Sequence, residues 1–291
     1  MKKTNKKAII IYISIILFVF NMSISFAFWA SQVNIGSNIS TGSITVGSWP
    51  FIPNGFLGVS QNGDEGDNYI TLDEVQATGN YILMSHIDWN QNTFQSIGGN
   101  DVFSGVFIGN GYAISNIMIT NSTSPYVGLF ARNNGTISNL SLTNITIDLT
   151  TNQDVYVGGI AGINTGTIEQ SFSTGSIIVS SSKTTSSNNQ TLVNNLYVGG
   201  VSGSNTGSIV DSYANINLTA ITSILAGNPR SNVTANTYAG GLVGLNSTAG
   251  IERSYALGVV NATSTATRTQ GNSTTYAYVY AGGLIGDNTH A

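Results

Sequence analysis

The chain has 291 residues, a formal net charge of −4, no cysteine and only 8% charged side chains, so disulfides and thiolate metal sites are excluded. Four of its nine basic residues are Lys2, Lys3, Lys6 and Lys7; beyond them, Arg132, Lys183, Arg230, Arg253 and Arg268 face thirteen acids. That balance argues against a nucleic-acid partner, whose phosphates demand a basic surface. Low charge, four prolines and many β-branched residues point to sheet rather than disorder.

Residues 1–27 have the layout of a secretory signal peptide. A basic start precedes an apolar run from Ala8 to Phe20, and Ser25 and Ala27 supply the small residues of a cleavage site. The run is shorter than the ~20 residues of a bilayer span. An uncleaved anchor, lengthened by Phe26, Phe28 and Trp29, is the alternative, and membrane contact is expected only through this segment. Either way the body is expected outside the cytoplasm, extracellular or at the cell surface.

Residues 28–60 read as a secreted segment and linker, with Pro50 and Pro53 among Gly and Asn. Residues 61–125 read as a lead-in and cap. Asp64, Glu65 and Asp67 lie in a loop that lacks the alternating carboxylates of a calcium site, which favours a solvated turn. Thr71-Leu72-Asp73-Glu74 is a capping box and predicts a short helix ended by Gly79. Short strand-like runs follow, around 81–89, Phe94 to Gly98, Phe103 to Phe107 and Ala113 to Ile119.

Residues 126–291 carry a nine-residue phrase five times. It opens on Tyr126, Tyr156, Tyr197, Tyr238 and Tyr280. Gly128, Gly158, Gly199, Gly240 and Gly282 follow two positions later, and Asn134, Asn164, Asn205, Asn246 and Asn288 eight positions later. Phe130, Ile160, Val201, Leu242 and Leu284 lie between them. The first copy departs from the others, with Leu129 and Arg132 at two glycine places. Each phrase leads into a short apolar strand, and one such unit cannot bury its apolar face alone. Stacking pairs each edge with the next, ~4.8 Å away. The expected fold is all-β: a right-handed parallel β-helix (β-solenoid) with a short N-terminal capping helix. In it, glycine would allow positive φ and close approach, asparagines would bond between layers, and tyrosines would form a ring column. Tyrosine spacing widens from 30 to 41, 41 and 42 residues. The excess falls in 180–195, 222–237 and 261–275, as disordered loops or as projecting strand pairs.

Residues about 69–147 resemble the lead-in of many bacterial surface proteins. Residues 126–291 resemble the GLUG-motif repeats of bacterial adhesins and of immunoglobulin-A-cleaving metallopeptidases, most closely in Tyr238-Ala-Gly-Gly-Leu-Val-Gly-Leu-Asn246 and Tyr280-Ala-Gly-Gly-Leu-Ile-Gly-Asp-Asn288. His86 and Ile108 stand where that lead-in tends to carry acidic or amide residues, which weakens a metal site there. A faint likeness to camelysin-like secreted proteins is confined to about twenty residues after Ala27.

The chemistry-bearing residues are sparse. With His86 and His290 alone, no His-Glu-x-x-His motif exists. No catalytic residue, metal ligand or cofactor-binding residue is assigned, and no cofactor is expected. The glycine phrases lack the Lys-Ser/Thr ending and following helix of a phosphate loop. Glu169, Asp211 and Glu252 fall near matching places and would serve a glycan-cleaving enzyme if paired; solvated outer-face acids are the plainer reading. Tyr276, Tyr278 and Tyr280 alternate along one strand, as a core face by the repeat pattern or as a sugar-stacking face. The sequence therefore suggests a non-catalytic adhesin or scaffold binding host or matrix glycans or proteins. The alternative is the N-terminal repeat region of a larger exported peptidase or glycan-active enzyme.

Overall fold

The computed structural model describes residues 52–63, 67–185, 190–227, 231–247, 250–269, 271 and 274–289. The chain divides after Trp49, and everything described belongs to the second unit, Pro50–Ala291. The signal segment with its anchor alternative, and Asp64, Glu65, Arg230 and His290, lie outside the described residues.

The described residues fold as β-structure in which the strand ladders are parallel. They form four sheets of eight, eight, five and five strands. One circuit of the chain visits all four. Val155–Gly158, Ala161–Asn164, Thr167–Glu169 and Phe172–Thr185 each join a different sheet, and Thr191–Gly199 then returns beside Val155–Gly158. Parallel neighbours separated by a full circuit are what a repeated phrase produces when like pairs with like. Accordingly Tyr156, Tyr197, Tyr238 and Tyr280 are register partners, as are Gly158, Gly199, Gly240 and Gly282.

Inside, alternate residues of each strand point inward. Ile137, Ile168 and Ile209 form one fully buried column, and Leu129, Ile160, Val201 and Leu242 are also fully buried. The earlier circuits are filled by rings instead: Phe94, Phe103, Phe107 and Phe130 are buried, with Phe130 centroids 4.8 Å from Phe103 and 5.3 Å from Phe107. Corners are set by glycine. A Cβ on Gly158, Gly199, Gly240 or Gly282 would strike a backbone carbonyl of its own turn. None of these four has positive φ, so crowding alone excludes a side chain, and the expected left-handed conformation is corrected.

Three expectations change. No α-helix forms among the described residues; the capping box closes a single 3-10 turn, Leu72–Glu74. Glu74 accepts a hydrogen bond from the Thr71 N–H at 2.8 Å, as the motif requires, and another from the Thr71 hydroxyl at 3.0 Å. The turn stops there because Leu72 and Val75 are its only apolar anchors, and Val75 swings to extended backbone. The tyrosine hydroxyl of Tyr81 then ties the next residues, accepting from Gln76 N–H and donating to Thr78 C=O. Second, the linker expected over 28–60 ends in a strand, Phe56–Val59, paired with Tyr69–Ile70 and Asn80–Leu83.

Third, the excess residues after each long circuit extend the strands. Phe172–Thr185, Tyr213–Ala226 and Val260–Arg268 run out alongside Thr191–Gly199, Asn232–Gly240 and Thr275–Gly282. These are not hairpins. Each strand bonds to its equivalents one circuit away, and successive strands lie in different sheets, meeting through side chains. The interior of this flange is partly polar: Ser181 donates to Asn194 at 2.9 Å and Thr237 to Thr222 at 2.8 Å. Further out it is sealed by a separate apolar cluster of Ile224, Ala226, Val233 and Ala235.

Candidate binding surface

The repeated polar and aromatic residues sort into columns, some buried and some facing outward. Asparagine forms the deepest one. Nδ2 of Asn133 donates to Oδ1 of Asn164, Asn164 to Asn205, Asn205 to Asn246, and Asn246 to Asn288, all at 2.8–2.9 Å. Asn133, Asn164 and Asn205 are fully buried. A buried amide is costly unless its hydrogen bonds are made, and here each links two circuits.

The first copy enters this column through Asn133, not Asn134. Phe130 pairs with Ala161, Arg132 with Ile163 and Asn133 with Asn164, so the copy is one residue shorter after Gly128. Leu129 and Arg132 therefore do not replace two glycines, and exposed Asn134 only accepts a 3.2 Å hydrogen bond from Thr165. Two residues beyond Asn133, Asn164 and Asn205 lies a second glycine column, which Gly105 opens one circuit earlier. A Cβ on Gly105, Gly135, Gly166 or Gly207 would collide with the carbonyl of Gly79, Gly105, Gly135 or Gly166, one circuit before. Asn133, Asn164 and Asn205 each donate to the carbonyl of the glycine two residues on.

A serine column completes the hidden set. Ser171 and Ser212 accept from the backbone N–H of Leu140 and Ser171, and Ser254 accepts from Ser212. Their hydroxyls donate back to carbonyls two residues earlier. This column and the second glycine column escaped the sequence reading, although Asn-x-Gly-(Thr/Ser)-Ile and x-Ser-(Phe/Tyr) recur at 133–137, 164–168 and 205–209, and at 170–172, 211–213 and 253–255.

Facing outward, Tyr156, Tyr197, Tyr238 and Tyr280 stack with centroids 4.4, 4.7 and 4.6 Å apart and planes within 11°. Tyr126 joins at 5.6 Å, tilted 32°, with the Arg132 guanidinium 4.8 Å over its ring. A second stack runs Phe172, Tyr213, Tyr255. Burial raises the Tyr197 phenol above its ordinary value, and the neighbouring phenols of Tyr156 and Tyr238 add to the rise; Tyr156 and Tyr238 move the same way for the same leading reason. Tyr276, Tyr278 and Tyr280 are 50%, 45% and 37% exposed. The core reading of that face is thus corrected: Ala235, Thr237 and Ala239, on the alternate face of the neighbouring strand, point inward and are fully buried.

The candidate acids do not converge. Glu169 pairs with Val210, and Val210 with Glu252, leaving Asp211 one position further along. Asp211 lies in a column of left-handed corner residues, Asn139, Gln170, Asp211 and Arg253. Arg253 holds it with two hydrogen bonds of 2.6 and 3.0 Å and also reaches Glu252 at 3.2 Å. Those bonds keep the Asp211 carboxyl below the usual range. His86 is exposed, its Nδ1 accepting from Ala113 N–H at 3.0 Å and its ring edge-on to Tyr112. Among the described residues no three His, Asp or Glu side chains come together as metal ligands. No helix there is long and apolar enough to cross a membrane.

Comparison with protein-family models, with curated proteins and with solved structures returns no match for this chain.

Proposed function

We propose that the chain is a right-handed parallel β-solenoid, exported and displayed as a non-catalytic adhesin or binding scaffold for host or matrix glycans or proteins. The observation that carries this reading is the tyrosine sheet. It holds like residues in register over successive circuits and turns a continuous column of rings toward solvent. Right-handedness is favoured by the chirality of crossovers between parallel strands. The secretory layout of residues 1–27 and the resemblance to GLUG-motif repeats support display outside the cell.

The acids add to the non-catalytic side of the reading. A glycosidase needs two carboxylates facing one bond, whereas Arg253 engages both Asp211 and Glu252, and Glu169 is set two circuits from Glu252 with Val210 between them. The test is adhesion of the purified chain to host cells, matrix proteins and a glycan panel, beside a turnover assay on polysaccharides. Saturable adhesion without turnover is expected. Absence of adhesion to every surface overturns the scaffold, and turnover abolished by Asp211→Asn or Glu252→Gln overturns the non-catalytic assignment.

A further inference from the structure

The flange begins at a step in the middle of the stack, with circuits on both sides of it. Phe172–Thr185 pairs along its whole length with Tyr213–Ala226, but with the preceding Ser141–Thr151 only as far as Ser181. Thr191–Gly199 likewise pairs throughout with Asn232–Gly240, but with Val155–Gly158 only from Leu196 onward. The circuit from Tyr126 to Val155 turns back too early to cover the rest, and every residue of it is described. Residues 182–185 and 191–195 therefore have a strand neighbour on one side only. Backbone groups of alternate residues point to opposite sides of a strand. Since Gln190 C=O accepts from Asn232 N–H on the paired side, residues 191, 193 and 195 face the open one.

An open strand edge is a template for another strand, and an inward-pointing charge is one way to blunt it. Lys183 supplies that charge. It lies in the inward row between buried Ser181 and Thr185. Its register partners in the next two circuits are Ile224, which is buried, and Ala266, which packs against the same apolar cluster. The strand at the step thus puts a cation where its successors put aliphatic side chains. The Lys183 side chain is 15% exposed, and its ammonium donates to Asp154 at 2.6 Å and across the flange to the Val193 carbonyl at 2.9 Å. Asp154, in the turn between Ser141–Thr151 and Val155–Gly158, accepts from the Asn195 N–H at 2.7 Å and from its side-chain amide at 3.2 Å. Two backbone groups on the open side are thereby occupied by charged side chains. A lysine stem covers apolar neighbours while its ammonium stays at the rim.

We infer that Lys183, held by Asp154, closes the flange edge and keeps a second copy of the chain from adding there. A second copy is the fitting occupant because flange strands pair with strands of their own kind, and one edge can meet its twin about a two-fold axis. The inference stands on strand register alone and is independent of what the surface binds. Its test is the mass of the full chain in solution, followed by light scattering over a wide range of concentration. Wild type is expected to stay monomeric. Lys183→Ile, which copies Ile224, is expected to dimerise at concentrations at least about tenfold lower than any at which wild type associates. Lys183→Ala, which copies Ala266, is expected to dimerise more weakly, and Lys183→Arg to stay monomeric. The melting temperature of the isoleucine variant should be unchanged or raised, since an apolar side chain that packs well in place of a buried ion is often stabilising; that outcome separates an opened edge from a damaged fold. Adding Val193→Pro to Lys183→Ile removes an N–H that faces the open side, and is expected to restore the monomer. Monomeric Lys183→Ile and Lys183→Ala overturn the inference. So does a dimer that survives Val193→Pro or forms equally in Lys183→Arg, and so does a wild-type dimer that Val193→Pro abolishes.

Discussion

The circuits up to Phe130 and those beyond it solve the same packing problem differently. Early circuits fill their interior with interlocking rings, Phe94, Phe103, Phe107 and Phe130, each in a different setting. Later circuits use small aliphatics and give their corners to homotypic columns of asparagine, glycine and serine. Ring packing tolerates irregular sequence, because each ring needs only a cavity of its shape. A ladder demands the same residue at the same place every time, because its partner is itself. That contrast explains why one half of the fold reads as a repeat and the other does not.

The sharpest way to break the comparison is to truncate one filler of each kind. Phe130→Ala should cost most, about 3–5 kcal/mol, because a fully buried ring touching two others leaves a void. Chemical denaturation of the two proteins measures it. Asn205→Ala should follow at about 2–4 kcal/mol, since it strips a hydrogen bond from both Asn164 and Asn246 and leaves two buried amides short. Asn134→Ala is its control and should change stability by less than about 0.5 kcal/mol, as expected of an exposed side chain outside the column. Equal losses at positions 134 and 205 would refute the ladder register.

Smaller effects probe the outer columns. Folding raises the phenol pKa of Tyr156, Tyr197 and Tyr238, chiefly through burial, so the folded state holds these protons more tightly than the unfolded chain. Their contribution is therefore complete below about pH 10, the unfolded value, and declines as pH rises through the raised folded values. Melting temperature followed into alkali should fall, and less steeply in Tyr197→Phe. Last, Arg253→Ala should leave melting temperature unchanged, because its partners are exposed and solvated, while acid titration should return the depressed Asp211 carboxyl toward its ordinary range.

Much of this was legible in the residues. The spacing of Tyr156, Tyr197, Tyr238 and Tyr280 carried the parallel register and the stacked rings, since identical partners one circuit apart need no tertiary information to be recognised. Counting forward from Tyr126 failed at Asn134, because a one-residue deletion is invisible until pairing fixes the register; reading back from Gly135 and Ile137 reaches Asn133 instead. The helix after Thr71 was misjudged because a capping box reports the start of a turn and says nothing about whether apolar residues sustain it. Nor did alternation in Tyr276–Tyr280 reveal which side faces inward. Ala277, Val279 and Ala281 alternate equally well, and only pairing with buried Ala235, Thr237 and Ala239 decides it.

The buried asparagines have a direction as well as a pattern. From Asn133 to Asn246 every amide donates toward the C-terminal neighbour, so their dipoles point the same way along the stack. Aligned dipoles polarise one another, and each link strengthens those on either side. An interior circuit therefore contributes more than a terminal one. Excising the circuit around Asn205 would sever a cooperative chain in its middle, whereas losing Asn133, whose preceding partner is Phe103, would only shorten it.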